Sequence, residues 1–349
     1  MSEKIIAKEQ FLQALKQLSN QQAVYAPVNE GEFYNYKKLE DGVEPDFTFQ
    51  NTRLSPKGLI QPQSERMFEY SLDPGDSEAN VVKEIKRDYG PQAIVGIRPC
   101  DAKAIQLVKI NFDTPEFRDP FWLKRYEAST LVGLACNDPC ASCFCSTTGS
   151  GPFNEEGLDA LMTDLGDSFL IKSLTEKGEA FLKTVGAGAK DAQAEDKRKK
   201  EELKGKAEEA IRSEVPTAKL REQDLNALFD APFWEDVAFS CINCGTCTYL
   251  CPTCWCFDIQ DEVNNLKGLR IRNWDACMFP LFTLHGSGHN PRDHKVQRVR
   301  QRFMHKLKYY VDKYNNGVAC VGCGRCVQYC PVNIDIRKVF RYMNDYEAR

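Results

Sequence analysis

Two cysteine runs near the C-terminus constrain this chain more than anything else in it: Cys241-x-x-Cys244-x-x-Cys247-x-x-x-Cys251-Pro252 and Cys320-x-x-Cys323-x-x-Cys326-x-x-x-Cys330-Pro331. A two-residue gap in a tight loop brings successive sulfurs to neighbouring corners of one [4Fe–4S] cubane, and the fourth Cys of such a run reaches across to the other cubane. The spacing therefore predicts Cys241, Cys244, Cys247 and Cys330 on a first cluster, and Cys320, Cys323, Cys326 and Cys251 on a second. Gly245, Gly322 and Gly324 suit loops that need positive φ, and the Pro after each fourth Cys suits a break out of the loop. Zinc knuckles are the competing reading, but zinc sites use two-plus-two ligand sets rather than a four-Cys run occurring twice.

The remaining cysteines fit the same redox setting. Sixteen cysteines in 349 residues would suggest disulfides in a small secreted domain, yet here they cluster at metal-ligand spacings. The N-terminus lacks the apolar stretch of a signal peptide, and no segment approaches the ~20 apolar residues needed to span a bilayer. The expectation is a cytoplasmic protein with no transmembrane segment. A net charge of −4 argues against a nucleic-acid binder, without excluding local basic surfaces.

The length suits about two domains. Apolar spacing predicts an opening helix over 3–18 and a strand over 23–28, then irregular chain with short strands over 33–71, then a helix over 78–89 that stops at Gly90-Pro91. Ala93-Ile94-Val95-Gly96-Ile97 reads as a buried strand delivering Cys100, followed by a helix over 102–110. Thr130-Leu131-Val132-Gly133-Leu134-Ala135 reads as another strand, delivering Cys136. Parallel strands would place both thiols at one edge of a sheet. Strands over 158–163 and 168–171 flank the hairpin signal Gly166-Asp167. The Lys-, Glu- and Ala-rich stretch 176–214 reads as a solvated helix or helical hairpin linking domains. The fold expected is an α/β N-terminal domain (1–175), a charged helical linker (176–230), and a C-terminal α-helical, bacterial ferredoxin-like 2[4Fe–4S] domain (231–349) with a long insertion.

That insertion, 252–319, contains Cys254, Cys256, Cys277 and all four histidines. Residues 268–314 carry ten Lys/Arg against three Asp, a formal +7. Val296, Val299, Phe303, Leu307 and Tyr310 lie at helical spacing, which puts Arg298, Arg300, Arg302 and Lys306 on the other faces, available to thiolates, acidic groups or a partner. Cys254, Cys256 and Cys277 read either as further ligands or as packing around the ferredoxin core. In the N-terminal half, Cys100, Cys136, Cys140, Cys143 and Cys145 read as inert buried thiols or as ligands of a third iron–sulfur cluster, which the ligand count favours. A Cys nucleophile lacks a base, since no His precedes His285.

The stretches Ile97-Arg98-Pro99-Cys100-Asp101, Cys143-Phe144-Cys145-Ser146-Thr147-Thr148-Gly149-Ser150-Gly151-Pro152, Cys251-Pro252-Thr253-Cys254-Trp255-Cys256-Phe257-Asp258, Trp274-Asp275-Ala276-Cys277-Met278-Phe279 and Arg298-Val299-Arg300-Gln301-Arg302 resemble those of the dicluster iron–sulfur subunits typified by the sulfhydrogenase beta subunit. The corresponding subunits of anaerobic sulfite reductase and of flavin oxidoreductases linked to heterodisulfide reductase are similar. The resemblance implies an electron-transfer subunit, without catalytic residues of its own, whose partners are a flavin/NAD(P)H-binding subunit on one side and, on the other, a redox subunit of heterodisulfide reductase, hydrogenase or sulfite reductase type. It also implies Cys100, Cys136, Cys143 and Cys145 as ligands of the third cluster. Cys140 departs from the family pattern, so that ligand set stays open. No Gly-rich dinucleotide fingerprint follows a strand, which assigns nucleotide binding to a partner. Two other functions compete: an N-terminal cluster that reduces a small substrate itself, and an interaction subunit whose clusters only stabilise its fold.

Overall fold

The computed structural model of the chain describes residues 2–347. Its first half runs β1 (Glu3–Ala7), α1 (Lys8–Ser19), β2 (Ala23–Asn29), β3 (Tyr34–Lys38), β4 (Ser64–Ser71), β5 (Lys83–Glu84), β6 (Gln92–Ile97), α2 (Pro99–Phe112), α3 (Pro120–Ala128), β7 (Ser129–Leu134), β8 (Ala160–Asp164), β9 (Ser168–Ser173), α4 (Glu176–Val185) and β10 (Lys190–Asp191). There follow α5 (Ala194–Ala210), α6 (Leu225–Phe229), α7 (Phe233–Ala238), α8 (Thr246–Tyr249), β11 (Phe257–Asn264), β12 (Lys267–Trp274), α9 (Lys295–Met304), α10 (Tyr310–Tyr314), α11 (Arg325–Gln328) and α12 (Ile336–Asn344). Among the described residues no helix is long and apolar enough to cross a membrane.

The large sheet has the order β10-β1-β9-β8-β7-β6-β2-β3. Its centre is parallel: β2 with β6, β6 with β7, and β7 with β8. β6 and β7 are buried on both faces, which is why they read as unbroken apolar runs rather than alternating ones. Parallel neighbours end at the same sheet edge, so Cys100, at the start of α2, and Cys136, just past β7, emerge side by side. Pro99 at the first turn of α2 costs no hydrogen bond there and starts the helix sharply.

Four segments depart from the sequence reading. Residues 3–7 are strand rather than helix, because Ile5 and Ile6 add antiparallel to Leu170 and Phe169 of β9, and sheet pairing outweighs helical spacing. The helix expected over 78–89 does not form. Asn80 takes a left-handed φ of 62°, Lys83 and Glu84 pair with β4, and Val81 and Val82 stay half exposed with no face to bury them. The charged stretch from 176 divides: Phe181, Leu182 and Val185 of α4 pack into the core against the large sheet, β10 pairs with β1, and α5 alone is solvated, with Ala207 its buried residue. The C-terminal part is not helical throughout, since β11 and β12 form a hairpin between the two cysteine runs.

That hairpin belongs to a second sheet, ordered β11-β12-β4-β5, in which β12 pairs antiparallel with β4 of the first half. At its centre the buried Glu65 accepts hydrogen bonds from Arg87 and Arg125, each at 2.7 Å, and from Arg272 at 2.6 Å. A second seam is apolar, where Ala104 and Leu107 of α2 pack with Tyr310, Ala319 and Val321.

Candidate metal centres

The first cysteine run starts in the loop joining α7 to α8, which carries Cys241 and Cys244; Cys247 lies in α8 and Cys251 just past it. Cys241, Cys244 and Cys247 border a recess of about 480 Å3, closed from the other side by Cys326 and Cys330. The fourth cysteine of the second run, Cys330, thus lines the same recess as the first triplet, as does Cys326. Backbone N–H groups donate to two of these sulfurs, Asn243 to Cys241 at 3.4 Å and Ile334 to Cys330 at 3.2 Å, the type of contact that tunes a cluster-bound thiolate.

The second run repeats the geometry. Gly245 and Gly324, each at φ 73°, cap α8 and α11, and Asn243 at φ 55° stands where Gly322 at φ 61° stands in the other loop. Cys251 is the charge neighbour common to Cys320, Cys323 and Cys326. Burial pushes the Cys323 thiol up to about 12, so bare thiolates would not form here at neutral pH. A coordinated metal removes such a proton outright.

Cations surround the thiols. Lys57, Arg98, Arg302 and Lys306 are buried, and among the described residues their hydrogen bonds go to neutral oxygens. Lys57 Nζ donates to the carbonyls of Cys251 at 2.9 Å and Cys254 at 3.0 Å. Lys306 Nζ donates to Thr253 Oγ1 at 2.8 Å, Arg302 to the Cys247 carbonyl at 3.3 Å, and Arg98 to carbonyls including those of Gln50 and Ala135. Burial opposes charge on Arg302 and Lys306, yet negative charge on nearby sulfurs, Cys247 and Cys326 for Arg302 and Cys251 and Cys254 for Lys306, holds both protonated. An unpaired buried charge costs several kcal/mol. Anionic thiolate-ligated clusters supply the missing counter-charge, so the residues fit the [4Fe–4S] group.

The basic helix divides its cations between two settings. Val299, Phe303, Leu307 and Tyr310 are buried, and so are Arg302 and Lys306, which lie near thiols, one of the settings expected for them. Arg298 instead donates to the carbonyls of Arg292 and Asp293, and Arg300 lies over the Phe229 ring, 3.5 Å from its centroid.

In the first half, Cys100, Cys136, Cys143 and Cys145 come together at the sheet edge, and Cys140 joins them. Cys143 has Cys140, Cys100 and Cys136 as its thiol neighbours, and Cys145 has Cys136 and Cys323. Burial raises the Cys100 thiol well above its ordinary range. The loop carrying these thiols is docked on the second ferredoxin loop: Phe144 N–H donates to the Gly322 carbonyl at 2.9 Å. A Cβ on Gly322 would lie 2.5 Å from the Cys145 backbone nitrogen, and one on Gly324 would lie 2.2 Å from Ser142 Oγ. This contact explains why Gly occupies the position that Asn243 fills in the other loop, where left-handed φ alone is required.

Sequence reasoning missed Lys57, whose loop carries no motif, and the buried pairing of Asp101 with Arg325. The signal for the latter was a charged residue beside a thiol in each of two apolar, cysteine-bearing turns. Cys254, Cys256 and Cys277 enter neither ferredoxin set and line a recess of their own with His305. Burial, with Arg292 and Lys306 nearby, pulls His305 down to about 4 and keeps it neutral.

Residues 240–334 match a family model described as a 4Fe-4S dicluster domain. Over 332 residues, 95% of this chain and 94% of the relative, the sequence is 30% identical to sulfhydrogenase 2 subunit beta of Pyrococcus furiosus.

Proposed function

This chain belongs to the iron–sulfur electron-transfer family typified by the beta subunit of sulfhydrogenase, and it carries two [4Fe–4S] clusters. From this premise we propose that it relays electrons within a cytoplasmic, hydrogenase-type complex, with an NAD(P)H-linked flavin subunit on one side of it and a second redox subunit on the other. Cys241, Cys244, Cys247 and Cys330 hold one cluster, and Cys320, Cys323, Cys326 and Cys251 the other. A third cluster is held by Cys100, Cys136, Cys143 and Cys145, with Cys140 alongside.

The observation that carries this reading is the serial contact of the three thiol sets. The N-terminal loop touches the second ferredoxin loop through Phe144 and Gly322, and the second run shares the first recess through Cys326 and Cys330. Such a row conducts when reduced clusters exchange electrons with their neighbours. At its far end Cys244 is exposed, beside Phe239 and Ile242, which are 84% and 63% exposed. An apolar collar of this kind marks a docking face, and we assign it to the redox partner.

The test is anaerobic copurification from the native cell, followed by dithionite reduction and EPR of the isolated protein. Reducible, magnetically interacting clusters and a copurifying flavin subunit support the relay. Clusters that stay oxidised at every accessible potential would reduce them to structural metal. Phe239→Ser should leave the iron content unchanged and release the partner. Undiminished copurification of Phe239→Ser would move the docking face elsewhere.

A further inference from the structure

Cys254, Cys256 and Cys277 have no part in the relay described above. They line a recess of about 500 Å3 together with Arg302, His305 and Lys306. We propose that this recess holds an additional iron–sulfur cluster, with Cys254, Cys256 and Cys277 as thiolate ligands and His305 as the fourth.

The hairpin assembles the site. Phe257, the first residue of β11, pairs with Trp274, the last of β12, and the Asp275 N–H donates to the Cys256 carbonyl at 3.0 Å. An antiparallel pair closed in this way brings the residue before its first strand and the residues after its second to the same end. Cys256 and Cys277 stand at that open end, and Cys254 lies two residues upstream. His305 comes from the opposite side, at the start of the π-helical turn His305–Tyr309. A π turn inserts one residue into the helical ladder and recurs at functional sites; here His305 and the buried Lys306 both border the recess. The Gln301 amide nitrogen lies 2.7 Å from His305 Nε2, which fixes the ring; a metal on Nδ1 requires that amide to turn its oxygen toward Nε2–H, the arrangement outer partners of ligating histidines make.

The recess is also lined by two of the buried cations described above, Arg302 and Lys306, and Cys254 is among the sulfurs near both. Arg302 is 3% exposed and lines the recess, and its Nε has no hydrogen-bond partner among the described residues. Lys57, also buried, is held at the Cys254 carbonyl by its own hydrogen bond, 3.0 Å long. An anionic cluster in the recess would share with the ferredoxin clusters the counter-charge these cations need. Among the described residues no three His, Cys, Asp or Glu side chains converge on a point that one ion would fill.

The experiment uses the full chain, purified anaerobically, with iron and acid-labile sulfide analysis, native mass spectrometry and Mössbauer spectroscopy on wild type, Cys277→Ser and Cys143→Ser. Cys277→Ser should lose about two to four irons with matching sulfide while keeping both ferredoxin signals. Cys143→Ser, which tests the N-terminal set, should lose a different species, so the two sites fail separately. Wild-type iron and sulfide in Cys277→Ser would overturn the site, and so would stoichiometric zinc in its place. Should Cys277→Ser not fold, His305→Cys decides. Retained iron with an altered Mössbauer component supports ligation, and an unchanged spectrum overturns it.

Discussion

Asp101 and Arg325 meet through two parallel hydrogen bonds of 2.7 and 2.8 Å, each side chain 1% exposed. Asp101 follows Cys100 on α2 and Arg325 lies between Cys323 and Cys326, so the pair ties the N-terminal thiols to the second ferredoxin loop. Arg325 also donates to the Thr52 carbonyl at 2.8 Å. Its charge is therefore engaged by Asp101, with the Cys323 and Cys100 sulfurs also near.

Asp101→Asn should destabilise the protein by about 3–5 kcal/mol, because it leaves a buried guanidinium without its counter-charge. The measurement is anaerobic urea unfolding followed by cluster absorbance. Asp101→Leu combined with Arg325→Met should recover much of the loss, since removing both charges costs less than stranding one. An unchanged midpoint for Asp101→Asn would show that the pair holds nothing together.

Gly322→Ala should displace the loop carrying Cys143 and Cys145, because the added methyl meets backbone 2.5 Å away and a left-handed conformation already disfavours it. Asn243→Gly, at the equivalent turn of the first loop, should shift stability by no more than about 1 kcal/mol. Iron content and EPR of the two variants, compared side by side, check the asymmetry. Equal losses in both would contradict it.

Ligand crossing predicts which variants share a phenotype. Cys330→Ser should disturb the same cluster signal as Cys244→Ser, and Cys251→Ser the same signal as Cys323→Ser. Should Cys330→Ser instead reproduce Cys323→Ser, each run would hold its own cluster.

Glu65 gives a pH dependence with a definite sign. Burial alone would raise its carboxyl, but Arg125 and Arg272 outweigh burial and hold it below the ordinary range. A depressed carboxylate contributes stability that is full above the unfolded value, about 4.3, and is lost as pH falls through the folded one. Glu65→Gln should therefore be less stable than wild type at pH 7, by about 3–5 kcal/mol, and the difference should shrink as pH drops below about 4. A gap that does not change with pH would assign the effect to packing alone.

The parts legible in the sequence are those fixed by near neighbours. Cys241 to Cys251 and Cys320 to Cys330 specify their loops by spacing, and β6 and β7 announce themselves as apolar runs because both faces are buried. The helical spacing of Val81, Val82 and Ile85 misled because periodicity reports an apolar face without reporting whether anything covers it. Ile5 and Ile6 became strand only because β9, more than 160 residues away, offered an edge. Lys57 and the Asp101–Arg325 pair were hidden for the same reason: a buried charge is written in one place and its partner in another.

The pairing of β4 with β12 bears on how the protein is made. Arg66 finds Ile271 opposite it, so on the ribosome β4 emerges some 200 residues before its neighbour and waits as an open strand edge, the kind of surface that recruits wrong partners. The last strand of this sheet, β12, is made between the two cysteine runs, ahead of the second. Iron delivered earlier would meet Cys241, Cys244 and Cys247 without Cys330, and N-terminal thiols without the loop they rest on. The order of synthesis thus makes complete ligand sets wait for the second cysteine run, and makes the half-made protein, with its bare thiols and unpaired edge, the form most in need of a chaperone.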